Sequence, residues 1–114
     1  MHKMLIKLDD EKIIKAGLNP KDFFAKIDSI FEKTGGHFFK EILEDGSIVY
    51  SGNPAYPNYV GYFGVAYTKL CSNKSFLMCT KKWTWLDDDY APGIYNEEDC
   101  LEDAIKDYIN EHKG

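Results

Sequence analysis

The amino-acid sequence predicts a single α+β domain over residues 1–114, in which a small antiparallel sheet has its helices packed mainly on one face. The length of 114 residues and the apolar content of 44% suit one compact domain. Two segments repeat apolar residues at helical spacing, and an Asp-Gly turn separates two β-favouring runs. A parallel sheet would require strands and helices to alternate regularly, and in this sequence they do not. These observations favour a hairpin-containing antiparallel sheet.

The N-terminal segment predicts a strand followed by a short helix. Residues 3–8 alternate polar and apolar side chains, which is typical of a half-buried strand. Asp9 or Asp10 is a suitable N-cap for the helix that follows, and Gly17 indicates that this helix ends at Ala16. The strand is expected to be the N-terminal member of the sheet.

A longer helix and a hairpin come next. Asn19 is a good N-cap and Pro20 a good first helical residue. The apolar stripe of this helix consists of Phe23, Phe24, Ile27, Ile30 and Phe31. Residues 37–43 and 47–51 flank the tight turn at Asp45-Gly46, and this pattern predicts a β-hairpin.

The second half of the chain predicts a loop, a helix, a strand and a C-terminal helix. Residues 52–58 contain two prolines and two asparagines and should form a loop. Residues 59–71 fit either a helix or a strand, and the spacing of their apolar side chains favours a helix. A strand is expected over residues 75–86, where Trp-Thr-Trp favours β structure. Asn96 is expected to cap the last helix. Its apolar stripe consists of Cys100, Leu101, Ala104, Ile105, Tyr108 and Ile109.

Charge is distributed unevenly along the chain. Residues 87–114 contain ten acidic residues and two lysines, a net charge of −8, whereas the whole chain has −5. Every basic residue is lysine, and the lack of arginine argues against sequence-specific nucleic-acid binding. The chain has neither a run of about 18 apolar residues nor a signal-peptide pattern, so we expect a cytoplasmic protein that does not enter membranes.

The cysteines are expected to be reduced and buried. Cys71, Cys79 and Cys100 are odd in number and widely spaced, which argues against a disulfide framework and against a zinc site. A small enzyme with a site built from cysteine and carboxylate side chains stays an alternative. In such an enzyme the plausible bases would be His37 and His112.

An acidic segment near residue 90 invites comparison with a calcium-binding loop. Asp87, Asp89 and Glu98 match positions 1, 3 and 12 of the calcium-loop pattern, but Pro92 stands where that loop requires glycine. We therefore expect no metal and no cofactor. The segment is expected to be a solvated loop that turns at Pro92-Gly93.

Three stretches of the sequence resemble small uncharacterised proteins of Firmicutes that are often carried on mobile elements. The stretches are Leu-Ile-Lys-Leu-Asp-Asp-Glu-Lys-Ile at residues 5–13, Tyr-Phe-Gly-Val at residues 62–65, and Phe76 with Lys-Trp-Thr-Trp-Leu-Asp at residues 82–87. The resemblance implies a bacterial accessory protein. It implies no established activity and no catalytic residues.

A lysine- and tryptophan-containing stretch offers one candidate binding site. Lys81, Lys82, Trp83 and Trp85 place cations beside flat rings, which is a combination that binds single-stranded nucleic acid. The two tryptophans also alternate in step with the apolar residues before them. We therefore expect them in the core, and weak single-strand binding stays an alternative function.

The acidic C-terminal helix offers the favoured candidate site. Asp103, Asp107 and Glu111 lie four residues apart, and like charges at this spacing slightly destabilise a helix. We expect these residues, together with Tyr56 and Tyr59 of the Tyr-rich loop, to bind a protein partner with a basic surface. The expected function is that of a non-enzymatic binding module or inhibitor. One such role would be the inhibition of a nucleic-acid enzyme, with the carboxylates in place of phosphates.

Overall fold

The computed structural model describes residues 1–113, which form a five-stranded antiparallel sheet and five helices. The strands are β1 (His2–Leu8), β2 (Phe39–Ile42), β3 (Ile48–Ser51), β4 (Thr80–Ala91) and β5 (Ile94–Asp99). The helices are α1 (Asp10–Lys15), α2 (Pro20–Glu32), α3 (Tyr59–Cys71), α4 (Lys74–Met78) and α5 (Leu101–Glu111). The predicted α+β class is confirmed.

The strand order is β2-β3-β1-β4-β5. β1 is central and pairs antiparallel with β3 on one side and with β4 on the other. Helices connect β1 to β2 and β3 to β4, so the first four strands have the connectivity of two split β-α-β units, as in ferredoxin-like folds. β5 and α5 extend this arrangement beyond β4.

Local capping signals begin the first two helices where the sequence predicts. The Asp9 side chain accepts a hydrogen bond from the Lys12 backbone N–H at 3.2 Å. Asn19 accepts from the Lys21 backbone N–H at 2.8 Å, and Pro20 follows as the first helical residue. The predicted hairpin is confirmed as β2 and β3, and the helix favoured over residues 59–71 is confirmed as α3.

The strand predicted over residues 75–86 was wrong in its first part. Residues 74–78 form α4, because the Asn73 side chain accepts a hydrogen bond from the Phe76 backbone N–H at 3.0 Å and caps a helical turn. This turn buries Phe76 and Leu77 together. The strand then starts at Thr80.

The predictions of an acidic loop and of a helix cap at Asn96 were also wrong. β4 continues to Ala91, the chain turns at Pro92-Gly93 as predicted, and Asn96 lies within β5. The last helix begins only at Leu101, whose backbone N–H donates to the Asp99 carboxylate at 2.9 Å. Most of β5 is exposed, so it shows no alternation of buried residues, and its pairing with β4 defines it as a strand.

One face of the sheet forms the core with the helices. Its buried side chains alternate along the central strands and are Met4, Ile6, Ile48, Tyr50 and Trp83. The Phe31 ring of α2 stacks on the Tyr50 ring with 3.8 Å between centroids. The alternate side chains point to the other side, which we call the open face. It includes Lys3, Leu5, Lys7, Phe39, Glu41, Val49, Ser51, Lys82, Thr84, Leu86, Glu97 and Asp99.

Candidate partner-binding surface

The amphipathic helix α5 sets the position of the acidic residues. Ala104 is buried, and the half-buried Leu101, Ile105 and Tyr108 pack against the core. Asp103, Asp107 and Glu111 lie off this stripe and are exposed, as their spacing predicts. The helix therefore presents a row of carboxylates to solvent.

A carboxylate from the sheet lies beside this row. Glu98 of β5 pairs with Trp85 on the helix-bearing side of the sheet, and it lines a 200 Å³ cavity together with Asp103 and Tyr67. The four residues Glu98, Asp103, Asp107 and Glu111 are called the acidic stripe below. The stripe follows the boundary between α5 and α3.

Electrostatics along the acidic stripe differ from those of the rest of α5. Burial raises the pKa of the Cys71 thiol on α3; hydrogen bonding with Tyr67 partly offsets this, and the nearby charges of Asp107 and Glu111 add to the increase. Within residues 1–113, none of the four stripe carboxylates forms an ion pair. By contrast, Glu102 on the same helix pairs with Lys106 at 3.2 Å. The stripe is thus a row of negative charge with which no lysine of residues 1–113 forms an ion pair.

Neither of the two loop tyrosines is part of the acidic stripe. Tyr56 stacks on His37 with 4.4 Å between ring centroids, just before β2, which is the sheet edge opposite β5. Tyr59 is half-buried, and its hydroxyl accepts a hydrogen bond from the His2 backbone N–H at 3.1 Å. Its ring also lies against Gly52. Tyr59 therefore has a structural role that spacing alone does not reveal.

The tryptophans belong to the core, as predicted. Trp83 is 0% exposed and lies between Tyr67 and Phe76, with 5.1 Å from its ring centroid to each of theirs. Trp85 is half-buried and donates a hydrogen bond to His2. Lys81 and Lys82 are exposed, lie at a register irregularity between β1 and β4, and line the same surface pocket, but neither tryptophan ring lines that pocket. The rings needed to stack on unpaired bases are therefore occupied within the fold.

The thiols are kept protonated by their surroundings. All three cysteines are free, with Cys79 and Cys100 buried and Cys71 half-buried. Burial is the main cause that raises the pKa of Cys100 to about 12, and burial also raises the pKa of Cys79. His37 stacks on Tyr56, and His112 stacks on Tyr108. In residues 1–113 no group of three or more His, Cys, Asp or Glu side chains is placed to hold a metal ion.

An exposed hairpin tip is the feature that sequence reasoning missed. Tyr90 is 98% exposed and Ile94 is 72% exposed at the turn between β4 and β5. The Asp88 carboxylate holds this turn by accepting a hydrogen bond from the Gly93 backbone N–H at 2.9 Å. β-favouring aromatic and branched residues on both sides of Pro-Gly were the available signal.

The role of this surface has to be inferred from its own residues. No protein-family model, curated protein or solved structure matches this chain. Across residues 1–113, no helix has both the length and the apolar character needed to span a membrane.

Proposed function

We propose that this protein is a non-enzymatic binding protein whose acidic stripe docks onto a basic surface of a partner protein. The observation that carries the proposal is the row of four stripe carboxylates that have no ion-pair partner within residues 1–113. The three stripe carboxylates on α5 slightly destabilise that helix, because like charges lie one turn apart. The row also accelerates association with a surface of opposite charge.

The spacing of the stripe suits a partner that binds phosphates. Asp103, Asp107 and Glu111 repeat every four residues, which is about 6 Å along a helix axis. A basic groove that neutralises nucleic-acid phosphates would meet a similar row of negative charges here. We therefore propose a nucleic-acid-binding protein as the partner, in keeping with an inhibitor of bacterial or mobile-element origin.

Enzymatic function has less support in the same region. The cavity between α3, β4 and α5 has a volume of about 200 Å³, below the roughly 300 Å³ of small ligand pockets. The adjacent Cys100 thiol has a pKa raised to about 12, mainly by burial, so it is not an activated nucleophile. These two properties favour a docking surface over a catalytic site.

The test begins by capturing the partner from bacterial lysate with the tagged wild-type protein. The affinity of that partner is then measured for the wild type and for the triple variant Asp103→Lys, Asp107→Lys and Glu111→Lys. The matched control replaces Glu11, Glu32 and Glu44 by Lys, because these exposed acids lie on other surfaces and give the same change in net charge.

We expect the stripe variant to lose most of its affinity while it unfolds at a temperature close to that of the wild type. The control variant should keep most of the affinity. The association rate should also fall with added salt, since steering is screened beyond about 10 Å at 0.1 M ionic strength. Equal losses of affinity in the two variants would show that only the net charge matters, and this would contradict the proposed site.

A further inference from the structure

The backbone register shows which side chains are neighbours on the open face. One row across the sheet consists of Phe39, Ser51, Lys3, Leu86 and Glu97. The next row consists of Glu41, Val49, Leu5, Thr84 and Asp99. A third row contains Lys7 beside Lys82. Leu5 on β1 is therefore the centre of the open face.

Charges surround Leu5 in a crossed pattern. Lys3 and Lys7 lie two residues from it on the same strand, at about 7 Å in each direction. Glu41 and Asp99 lie two strands away on the edge strands β2 and β5, at about 10 Å on each side. Positive charge therefore lies along the strand direction and negative charge lies across it.

Most of these charges have no ion-pair partner in the fold. Within residues 1–113, neither Lys3, Glu41 nor Asp99 forms an ion pair. The Lys3 ammonium lies 4.8 Å from the centroid of the Tyr95 ring, and Lys7 is 3.3 Å from the Asp45 carboxylate. Lys3 and Glu41 are thus available to a second molecule, and Asp99, whose Oδ1 accepts a hydrogen bond from the Leu101 backbone N–H, can offer its other carboxylate oxygen.

A crossed pattern of this kind is complementary to a second copy that faces it with its strands at 90° to those of the first. A two-fold axis through Leu5, at 45° to the strands, would set Lys3 of each copy near Asp99 of the other. It would likewise set Lys7 near Glu41. The two offsets from Leu5 differ by about 3 Å, which a lysine side chain spans. Orthogonal crossing of strands is one of the two common ways in which sheets pack.

We infer that the open face binds a second copy of this chain, with the strands of the two sheets crossing at about 90°. Aligned packing is disfavoured, because a two-fold axis along or across the strands would place lysines over lysines. In the crossed arrangement Leu5 meets Leu5 of the other copy, and the half-buried Leu86 lies close to its own counterpart. Glu97, beside Leu86 in the same row, also faces its own counterpart, which weakens the contact. The interface therefore has a small apolar centre with charges around it.

The size of the open face sets the expected strength of the dimer. The twelve side chains of these three rows, at about 4.8 Å by 7 Å each, cover roughly 400 Å² from each copy. An interface of this size is smaller than that of most specific complexes and is typical of weak, transient association. The dimer should therefore dissociate on dilution. The inference is independent of the acidic stripe, which lies on the side of the sheet that carries the helices.

The experiment measures self-association by sedimentation equilibrium from about 10 μM to about 1 mM protein. The variants are Lys3→Glu and Asp99→Lys, each studied alone and then mixed in equal amounts. Each variant opposes like charges when it pairs with itself, whereas the mixture pairs Glu at position 3 with Lys at position 99. Lys33→Glu is the control, because Lys33 is exposed at the end of α2 and gives the same change in charge as Lys3→Glu.

We expect the mass of the wild type and of the Lys33→Glu control to rise toward twice 13.1 kDa with concentration. Each interface variant alone should associate at least about tenfold more weakly, and the mixture should recover the dimer. A wild type that stays monomeric throughout would overturn the inference. Within residues 1–113, the one contact of the Lys3 ammonium that Lys3→Glu removes is that with the Tyr95 ring, so this variant should keep its fold. Undiminished association of Lys3→Glu would also overturn the inference.

Discussion

The indole nitrogen of Trp85 donates a hydrogen bond to Nδ1 of His2 across 3.0 Å, and so joins β4 to the first residue of β1. Nε2 of the same imidazole lies 2.9 Å from the Asp89 carboxylate. Because Nδ1 accepts a hydrogen bond, the neutral ring carries its proton on Nε2 and donates it to Asp89. His2 therefore fastens the long hairpin of β4 and β5 to the centre of the sheet.

His2→Ala should lower the free energy of unfolding by about 1 to 2 kcal/mol, because both ring hydrogen bonds are lost. His112→Ala is the control and should change stability by less than about 0.5 kcal/mol, since His112 is exposed at the end of α5. Urea unfolding measures both effects. Nitrogen NMR of the imidazole checks the tautomer, and a proton on Nδ1 at neutral pH would contradict the assignment.

Gly52→Ala should destabilise the fold by about 2 to 3 kcal/mol, because the added Cβ would overlap the Tyr59 ring. Displacing that ring also breaks the hydrogen bond from the His2 backbone N–H to the Tyr59 hydroxyl. Gly64→Ala is the control, and we expect it to stabilise the fold. Its Cβ would meet no atom within 4 Å inside α3, so helix propensity should stabilise the protein by about 0.5 to 1 kcal/mol. Thermal unfolding of the two variants should differ in sign.

Acid should weaken the hairpin turn at Asp45. The backbone N–H of Ser47, its hydroxyl and then Lys7 lower the pKa of Asp45 from 3.8 to about 2. The stability that Asp45 contributes is thus complete above pH 3.8 and is lost as the pH falls toward 2. Asp45→Asn should show a smaller loss of stability over this pH interval than the wild type does. Glu44→Gln is the neighbouring control, and an identical pH profile for Asp45→Asn and the wild type would refute the prediction.

The buried thiols should react slowly while the protein is folded. Burial raises the pKa of Cys100 to about 12 and also raises that of Cys79, so the reactive thiolate is scarce at pH near 8. Labelling followed by mass spectrometry should be slow in buffer and complete in urea. Because the folded pKa of Cys100 exceeds the ordinary 9.0, its contribution to stability is full below pH 9 and declines toward pH 12. Rapid labelling of Cys79 or Cys100 in the native state would show that burial does not protect them.

Elements whose signals are satisfied locally could be predicted from the sequence. Asp9 and Asn19 accept hydrogen bonds from backbone groups within three residues, so each cap works in whatever tertiary context it occurs. The turn at Gly46, with a φ of 86°, requires the glycine that the hairpin pattern contains. The exposure of Asp103 and Asp107 likewise follows from helical periodicity alone.

Elements that depend on distant partners could not be predicted in the same way. β5 is a strand because its backbone pairs with β4, and its mostly exposed residues show no periodicity that could indicate this. Residues 74–78 belong to a segment whose alternation favours a strand, but the Asn73 cap stabilises them as helix α4.

Tertiary structure determines where each site lies. Helical spacing determined that α5 has an acidic face, but the pairing of Glu98 with Trp85 adds a fourth carboxylate from the sheet. Tyr59 faces inward because Gly52 leaves room for its ring and the His2 backbone N–H donates to its hydroxyl. The crossed charges around Leu5 exist only because β2, β1 and β5, far apart in the chain, come into register in one sheet. Sequence thus determined the local conformations and the residues available for binding. Long-range backbone hydrogen bonds, which link residues with no nearby signal for one another, decided which of them share a surface.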